Sequence, residues 1–269
     1  MTQHLFIFGM GYTATRLAKH LRDVGWTVHG TGERGDVAFS DEGAVREALN
    51  GATHILSSVP PNSTGADPVL TAFGNTLNAA PARWMGYLSS TGVYGDTGGA
   101  WVDEGAPLAG RRQGRTAADR AWQTLREDVR IFRLPGIYGP ERSAFQRVMQ
   151  GNAHRVDVPG QVFSRIHVDD IVRGVCASFD RGPAGVYNLA DDLPASQNAV
   201  VEYACDLLGQ PYPPLIARDD PSLSAASVAF YAENRRIANG KAKRLLDWQP
   251  LYRDYRAGLM ALWRHPQPK

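Results

Sequence analysis

Leu5-Phe6-Ile7-Phe8 is apolar at every position. A strand with one face in water alternates apolar and polar residues, so an unbroken run demands burial on both faces. The pattern then repeats. Short apolar runs at 5–8, 26–30, 54–58, 84–89 and 130–134 alternate with longer amphipathic stretches at 12–24, 41–50, 67–79 and 112–127. Each helical stretch outruns the strand beside it, which suits a crossover between parallel strands. The class is α/β, a doubly wound parallel sheet.

After Pro135 the rhythm breaks. Short strands are expected at 155–158 and 185–189. Between them, Ile171, Val172, Val175, Cys176 and Phe179 share one face of a helix over 168–179. A further helix over 196–208 stops at Gly209, with Pro211, Pro213 and Pro214 preventing its continuation. Helices at 241–246 and 254–263 complete a smaller lobe on the sheet's carboxyl edge, and no internal repeat interrupts the chain.

With 269 residues the chain forms one large domain or two closely joined small ones. A net charge of +2 is too mild to argue for nucleic acid, and the basic runs 111–115 and 235–244 read as solvated surface. Cys176 and Cys205 are too few for a disulfide framework, and no Cys-x-x-Cys or His-x-x-x-His supplies a metal site. No apolar run approaches the roughly 18 residues of a membrane helix. Met1-Thr2-Gln3-His4 carries no secretory signal. The reading is a soluble, reduced, cytoplasmic protein whose partner is a small molecule.

The first strand ends in Gly9-Met10-Gly11-Tyr12-Thr13-Ala14 and a helical pattern follows at once. Gly9 suits a tight turn, Gly11 lets the backbone approach a pyrophosphate, and Ala14 lets helix and strand pack closely. This placement, at the first strand–helix junction of an alternating chain, points to a dinucleotide site built on Gly9, Met10, Gly11, Tyr12 and Thr13. The second strand ends in Gly30-Thr31-Gly32-Glu33-Arg34. The Thr31 hydroxyl and the Arg34 fork favour the 2′-phosphate of NADP, while Glu33 keeps the ribose of NAD open. The third run leads into Ser58-Val59-Pro60-Pro61, either a rigid rim over the cofactor or a loop stiffened for its own sake.

Leu88-Ser89-Ser90-Thr91-Gly92-Val93-Tyr94-Gly95 resembles the serine-bearing segment of the extended short-chain dehydrogenase/reductase family, the NAD(P)-dependent epimerases and dehydratases. Four more segments resemble that family in order: 132–140, 166–171, 185–189 and the closing 241–250. The resemblance covers nearly the whole chain. It implies a Rossmann-type NAD(P)-binding domain (1–137 and 167–190) interleaved with a small C-terminal substrate lobe (138–166 and 191–269). It also brings Pro135 to the cofactor.

Two departures mark an atypical branch. The family's glycine motif is Gly-x-x-Gly-x-x-Gly, and its catalytic pair is Tyr-x-x-x-Lys. Here alignment on Ala117-Ala118-Asp119 sets Arg111 and Arg115 in the places of that tyrosine and lysine. An arginine does not deprotonate in a protein, so Arg111 can stabilise an oxyanion but not shuttle a proton. Ser90 remains to hydrogen-bond a substrate oxygen. Tyr94 is the first remaining proton donor and Tyr138 the second, with simple packing as the alternative for both. His167, Asp169 and Asp170 read as helix capping more than as acid/base chemistry. Arg133 is either a buried ion-pair partner or aimed at substrate.

Two functions remain open. One is an NADP-dependent oxidoreductase, epimerase or dehydratase-like enzyme acting on a small hydroxyl or carbonyl compound, either anionic, in view of Arg111, Arg112 and Arg115, or sugar-like, as the resemblance implies. The other is a non-catalytic NADP-binding sensor or partner-binding module. The stretch 112–127 presents Ala117, Ala118, Ala121, Trp122 and Leu125 on one face, for core packing or for a homodimer through two Rossmann helices.

Overall fold

The computed structural model describes residues 3–265, so Met1 and Thr2 of the N-terminal reading lie outside it. Six parallel strands form the central sheet: β1 (His4–Phe8), β2 (Thr27–Gly30), β3 (His54–Ser57), β4 (Trp84–Ser90), β5 (Val129–Leu134) and β6 (Gly185–Asn188). Their spatial order is β6-β5-β4-β3-β1-β2. The order of winding reverses at β1, which pairs in parallel with β2 on one side and β3 on the other. The crevice above the carboxyl ends of β1 and β3 is therefore the topological switch point where such sheets bind ligands. Only β2 lies beyond β1, so the first half of the doubly wound pattern is short by its outermost strand.

The unbroken apolar runs have the expected cause. Leu5 and Ile7 enter one core with Leu17 and Leu21 of α1 (Tyr12–Asp23), while Phe6 and Phe8 enter another with Val45 and Leu49 of α2 (Glu42–Gly51). The second core also takes Phe73 and Leu77 of α3 (Pro68–Ala79) and Trp122 of α4 (Gln113–Leu125). Helix starts follow local chemistry. Asp67 accepts the Val69 and Leu70 N–H groups at 2.9 and 3.0 Å ahead of Pro68, and caps α3.

Beyond β5, α5 (Ala144–Met149) is followed by α6 (Val168–Ala177), which returns to the sheet beside α1. Then come α7 (Gln197–Leu208), α8 (Ala225–Phe230), α9 (Gly240–Leu245) and α10 (Tyr255–Arg264). Helices α5, α7 and α10 share a separate apolar cluster of Ala144, Phe145, Val200, Ala204, Tyr255 and Leu259. As expected, α7 ends at a left-handed Gly209 (φ 63°).

Some boundaries differ. Helix α4 stops at Leu125 because Arg126 turns extended and its guanidinium binds the carbonyls of Ala80 and Ala82 and the Asp128 carboxylate. Its buried face is Thr116, Ala118, Asp119 and Trp122, with Ala117 and Ala121 exposed. The face is turned because Asp119, completely buried, forms a two-bond pair with Arg133 of β5 (Nη2–Oδ1 2.7 Å, Nε–Oδ2 3.1 Å). Ser89 Oγ donates to the same carboxylate at 2.5 Å. Arg133 Nη1 reaches the Tyr94 hydroxyl at 3.0 Å, and that hydroxyl donates to Asn188 Oδ1 of β6 at 2.7 Å. Arg133 is thus a buried ion-pair partner.

Two measurements follow from this core. Asp119→Ala leaves the Arg133 charge buried and unpaired, a loss of about 3–5 kcal/mol that urea denaturation will read. His54, packed between Trp26 and Phe179, is pushed by burial from 6.5 down to about 4. The folded protein then binds fewer protons there than the unfolded chain. The resulting stability is complete above about pH 6.5 and is lost as pH falls towards 4. His54→Gln should shrink the drop in Tm between pH 7 and pH 5.

Candidate functional site

The glycine loop is shaped from below. Gly9 has φ +83°, and a Cβ there would sit 2.8 Å from Val59 Cγ2. Ser58 Oγ donates to the Gly9 carbonyl at 2.5 Å, joining the ends of β1 and β3. Gly11 stands at the N-terminus of α1, where no side chain caps the helix and a Cβ would meet nothing within 4 Å. First-turn N–H groups lack intrahelical acceptors. An uncapped N-terminus with free space in front of it is an anion cradle, and it fits a dinucleotide pyrophosphate.

This cradle opens into a cavity of about 940 Å³. Gly11, Tyr12, Thr13, Ser58, Pro60, Ser90, Arg111 and Pro135 line it. Gly9, Met10, Thr31, Glu33, Arg34, Val59 and Tyr94 do not. Met10 and Thr31 are buried behind the loop: the Met10 N–H donates to the Thr31 carbonyl (2.7 Å) and the Gly9 N–H to Thr31 Oγ1 (3.2 Å). Thr31 therefore shapes the loop and does not face a ribose. Gly9 and Val59 likewise stand beneath the cradle, in contact with one another. Glu33 and Arg34 are exposed, with no ion pair among the described residues.

Tyr94 requires a correction. It is 1% exposed, lines no part of the cavity, and its hydroxyl is held between Arg133 and Asn188. Burial raises its pKa further from neutrality. The cause is Arg133, which the sequence left undecided and whose buried guanidinium draws the phenol inward. Tyr138 lines the cavity, but its hydroxyl points to the Asp254 carbonyl at 3.4 Å. The Tyr12 hydroxyl donates to the Pro140 carbonyl at 2.7 Å, and burial pushes its pKa up to about 12. Ser90 differs: its Oγ accepts the Gly92 N–H at 3.1 Å, and no acceptor among the described residues takes its proton.

His167, Asp169 and Asp170 are structural, with roles redistributed. The cap of α6 is His167, whose Nδ1 accepts the Asp169 N–H at 3.2 Å. Asp170 instead accepts the Leu251 and Tyr252 N–H groups at 2.6 and 3.0 Å, pinning the closing segment. Asp169 pairs with Arg16 of α1.

Arg111 precedes α4 and reaches across the cavity mouth, its Nε on Glu233 Oε1 at 2.8 Å and its Nη2 on the Ala229 carbonyl at 2.9 Å. Arg235 Nη1 holds the other Glu233 oxygen at 2.6 Å and the Gly95 carbonyl at 2.7 Å. Burial works against the Glu233 carboxylate, yet the two guanidiniums hold it below its usual range. Arg235 thus belongs to the cavity and not to a solvated surface. Arg112, Arg115, Arg142, Arg147 and Arg165 also line the cavity, against two acids among the described residues, Glu141 and Glu233. Arg142, Arg147, Arg165 and Glu233 carried no sequence signal, because they come from scattered segments without a motif.

No protein-family model matches the chain. A conserved protein of unknown function from Silicibacter pomeroyi is 40% identical, with a TM-score of 0.87 over 99% of this chain and all of that one. UDP-glucose 4-epimerase from Thermotoga maritima, solved with UDP-glucose, has a TM-score of 0.77 at 15% identity over 98% of this chain and 100% of that chain. dTDP-glucose 4,6-dehydratase from Bacillus anthracis, solved with NAD, has a TM-score of 0.77 at 16% identity over 98% and 96%. A curated relative, 3-diazoavenalumate denitrifying reductase from Streptomyces sp., is 27% identical over 77% of this chain and 76% of its own. The chain belongs to the family of the Silicibacter pomeroyi protein, and its structural neighbours are NAD-dependent epimerase/dehydratase (extended short-chain dehydrogenase/reductase) proteins. Among the described residues, no helix is long and apolar enough to cross a membrane.

The open space at Gly11 separates folding from binding. Gly11→Ala should cost less than about 1 kcal/mol of stability, the order of a helix-cap change. Cofactor affinity should fall at least about tenfold as the methyl group enters the cradle. Thermal melting and a fluorescence titration read the two effects.

Proposed function

We propose that the chain is an NADP-dependent oxidoreductase acting on a small anionic compound with a hydroxyl, carbonyl or comparably reducible group. The observation that carries this reading is the continuity of the glycine cradle with a single arginine-lined cavity that has Ser90 on its wall. The N–H groups at the start of α1 hold the pyrophosphate, Ser58, Pro60 and Pro135 flank the nicotinamide end, and exposed Arg34 takes the 2′-phosphate. When bound, the nicotinamide supplies or accepts a hydride.

The chain's own residues bind, orient and stabilise charge. Ser90 Oγ–H donates to a substrate oxygen. Arg111, held by Glu233, presents a fixed positive charge at the cavity mouth. The hydroxyls of Tyr12, Tyr94 and Tyr138 are engaged with protein acceptors, so none of the three is poised to give the proton that accompanies reduction. The Streptomyces relative, by its name a reductase of an organic anion, supports the reductive direction and an anionic substrate.

That same engagement of the tyrosines favours a second reading, a non-catalytic NADP-binding sensor, and one experiment divides the two. Apo protein is titrated with NADPH and NADH, then assayed for NADPH oxidation with a panel of carbonyl and other reducible acids. The enzyme reading expects NADPH preference, an Arg34→Ala variant that loses about tenfold in NADPH affinity but little in NADH affinity, and turnover that falls in Ser90→Ala. Tight binding without turnover across the panel would leave the sensor.

A further inference from the structure

Five of the cavity's arginines, Arg112, Arg115, Arg142, Arg147 and Arg165, have no ion pair among the described residues, and Arg147 and Arg165 belong to the same end of it. Arg165 is buried, and its guanidinium meets only neutral oxygens: the carbonyls of Phe163 and Ala195, both at 2.8 Å from Nη1, and Gln197 Oε1 at 3.1 Å from Nη2. Arg147, on α5, has no carboxylate within 4.0 Å among the described residues. Both line the cavity, and the charge of Arg147 works with burial to lower the Arg165 pKa to about 10. Asp191 is the acid that most favours the Arg165 charge, but it makes no ion pair with that residue within 4.0 Å. Both its oxygens are buried without a hydrogen-bond partner, and burial pushes its carboxyl well above the usual range. The cost falls on Arg165, a buried cation with no carboxylate within 4.0 Å among the described residues, and a ligand that brings an anion to it would offset that cost.

The wall beside them is flat and aromatic. Phe230 stacks on Phe163 at 4.1 Å and 13°, Tyr231 meets Phe163 edge-on at 5.6 Å, and Arg165 lies 5.9 Å above the Phe163 ring. Phe230 lines the cavity while 48% exposed. The volume limits what can sit there: roughly 300–1,000 Å³ accommodates one drug-sized ligand. A cavity of about 940 Å³ must also take the nicotinamide end of a dinucleotide, which leaves space for a small molecule and not for a second nucleotide.

We propose that this end of the cavity is a subsite for a small, flat, conjugated carboxylic acid, with its carboxylate between Arg147 and Arg165 and its unsaturated face on Phe230. This deepens the oxidoreductase reading, on which it rests for the identity of the reacting end, by naming the substrate class. The reducible group then lies away from the two arginines, towards Ser90 and Pro135.

The test is calorimetry on the full chain, with and without saturating NADPH, using trans-cinnamate, cinnamyl alcohol and UDP as probes. Cinnamate should bind at least about tenfold more tightly than the alcohol, the order of a charge-assisted contact. Arg147→Met, at an exposed position, should remove that advantage while leaving alcohol binding and NADPH affinity within about twofold. Phe230→Ala should weaken cinnamate and the alcohol alike. Equal binding of acid and alcohol, or an unchanged cinnamate affinity in Arg147→Met, would overturn the subsite. So would UDP as the tighter ligand and the one weakened by that change, since the arginines would then serve a nucleotide diphosphate. If cinnamate binds as described but NADPH does not bind, the subsite stands and the oxidoreductase reading falls.

Discussion

The ion pair between Asp119 and Arg133 lies at the carboxyl edge of the sheet, directly beneath the cavity. Its carboxylate takes Ser89 at the end of β4, and its guanidinium takes Tyr94, which in turn holds Asn188 at the end of β6. Three neighbouring strands and helix α4 are therefore fixed relative to one another by hydrogen-bonded charge and not by apolar contact alone. Both charges are completely or almost completely removed from water, so each tolerates burial only while the other is present. Ser90, next along β4, inherits its position from this network.

A second constraint sits at the other side of the crevice. The glycine cradle is held from behind by Thr31 and from the side by Ser58, so its geometry is set by β2 and β3. This explains why a loop with an irregular glycine spacing can still present an uncapped helix N-terminus to the cavity. The hydroxyl of Thr31 is spent on that support. Beyond Gly32 the chain is exposed, and Glu33 and Arg34 stand side by side there.

Much of this was legible from the chain alone. The apolar runs on both parities identified the strands of the sheet, because two-sided burial leaves a mark at every position. The glycine loop was legible because a turn and a close approach demand a small residue at fixed offsets. The cavity's arginines were not. Arg142, Arg147, Arg165 and Arg235 come from segments whose spacing follows no period, and an arginine facing a cavity is spelled the same as one facing solvent.

Tyr94 marks the boundary between the two kinds of knowledge. Local sequence places it four residues after Ser90, within a segment resembling a catalytic one, and there the strand pattern and the loop chemistry end. Its orientation depends on Arg133, thirty-nine positions away, and on a desolvation cost that only the assembled core imposes. Sequence by itself determined the α/β class, the parallel strands and the cradle, since each rests on short-range backbone and burial rules. Tertiary structure alone decided which charges are paired, which hydroxyls are spent and which arginines face the cavity, because those depend on groups brought together from distant parts of the chain.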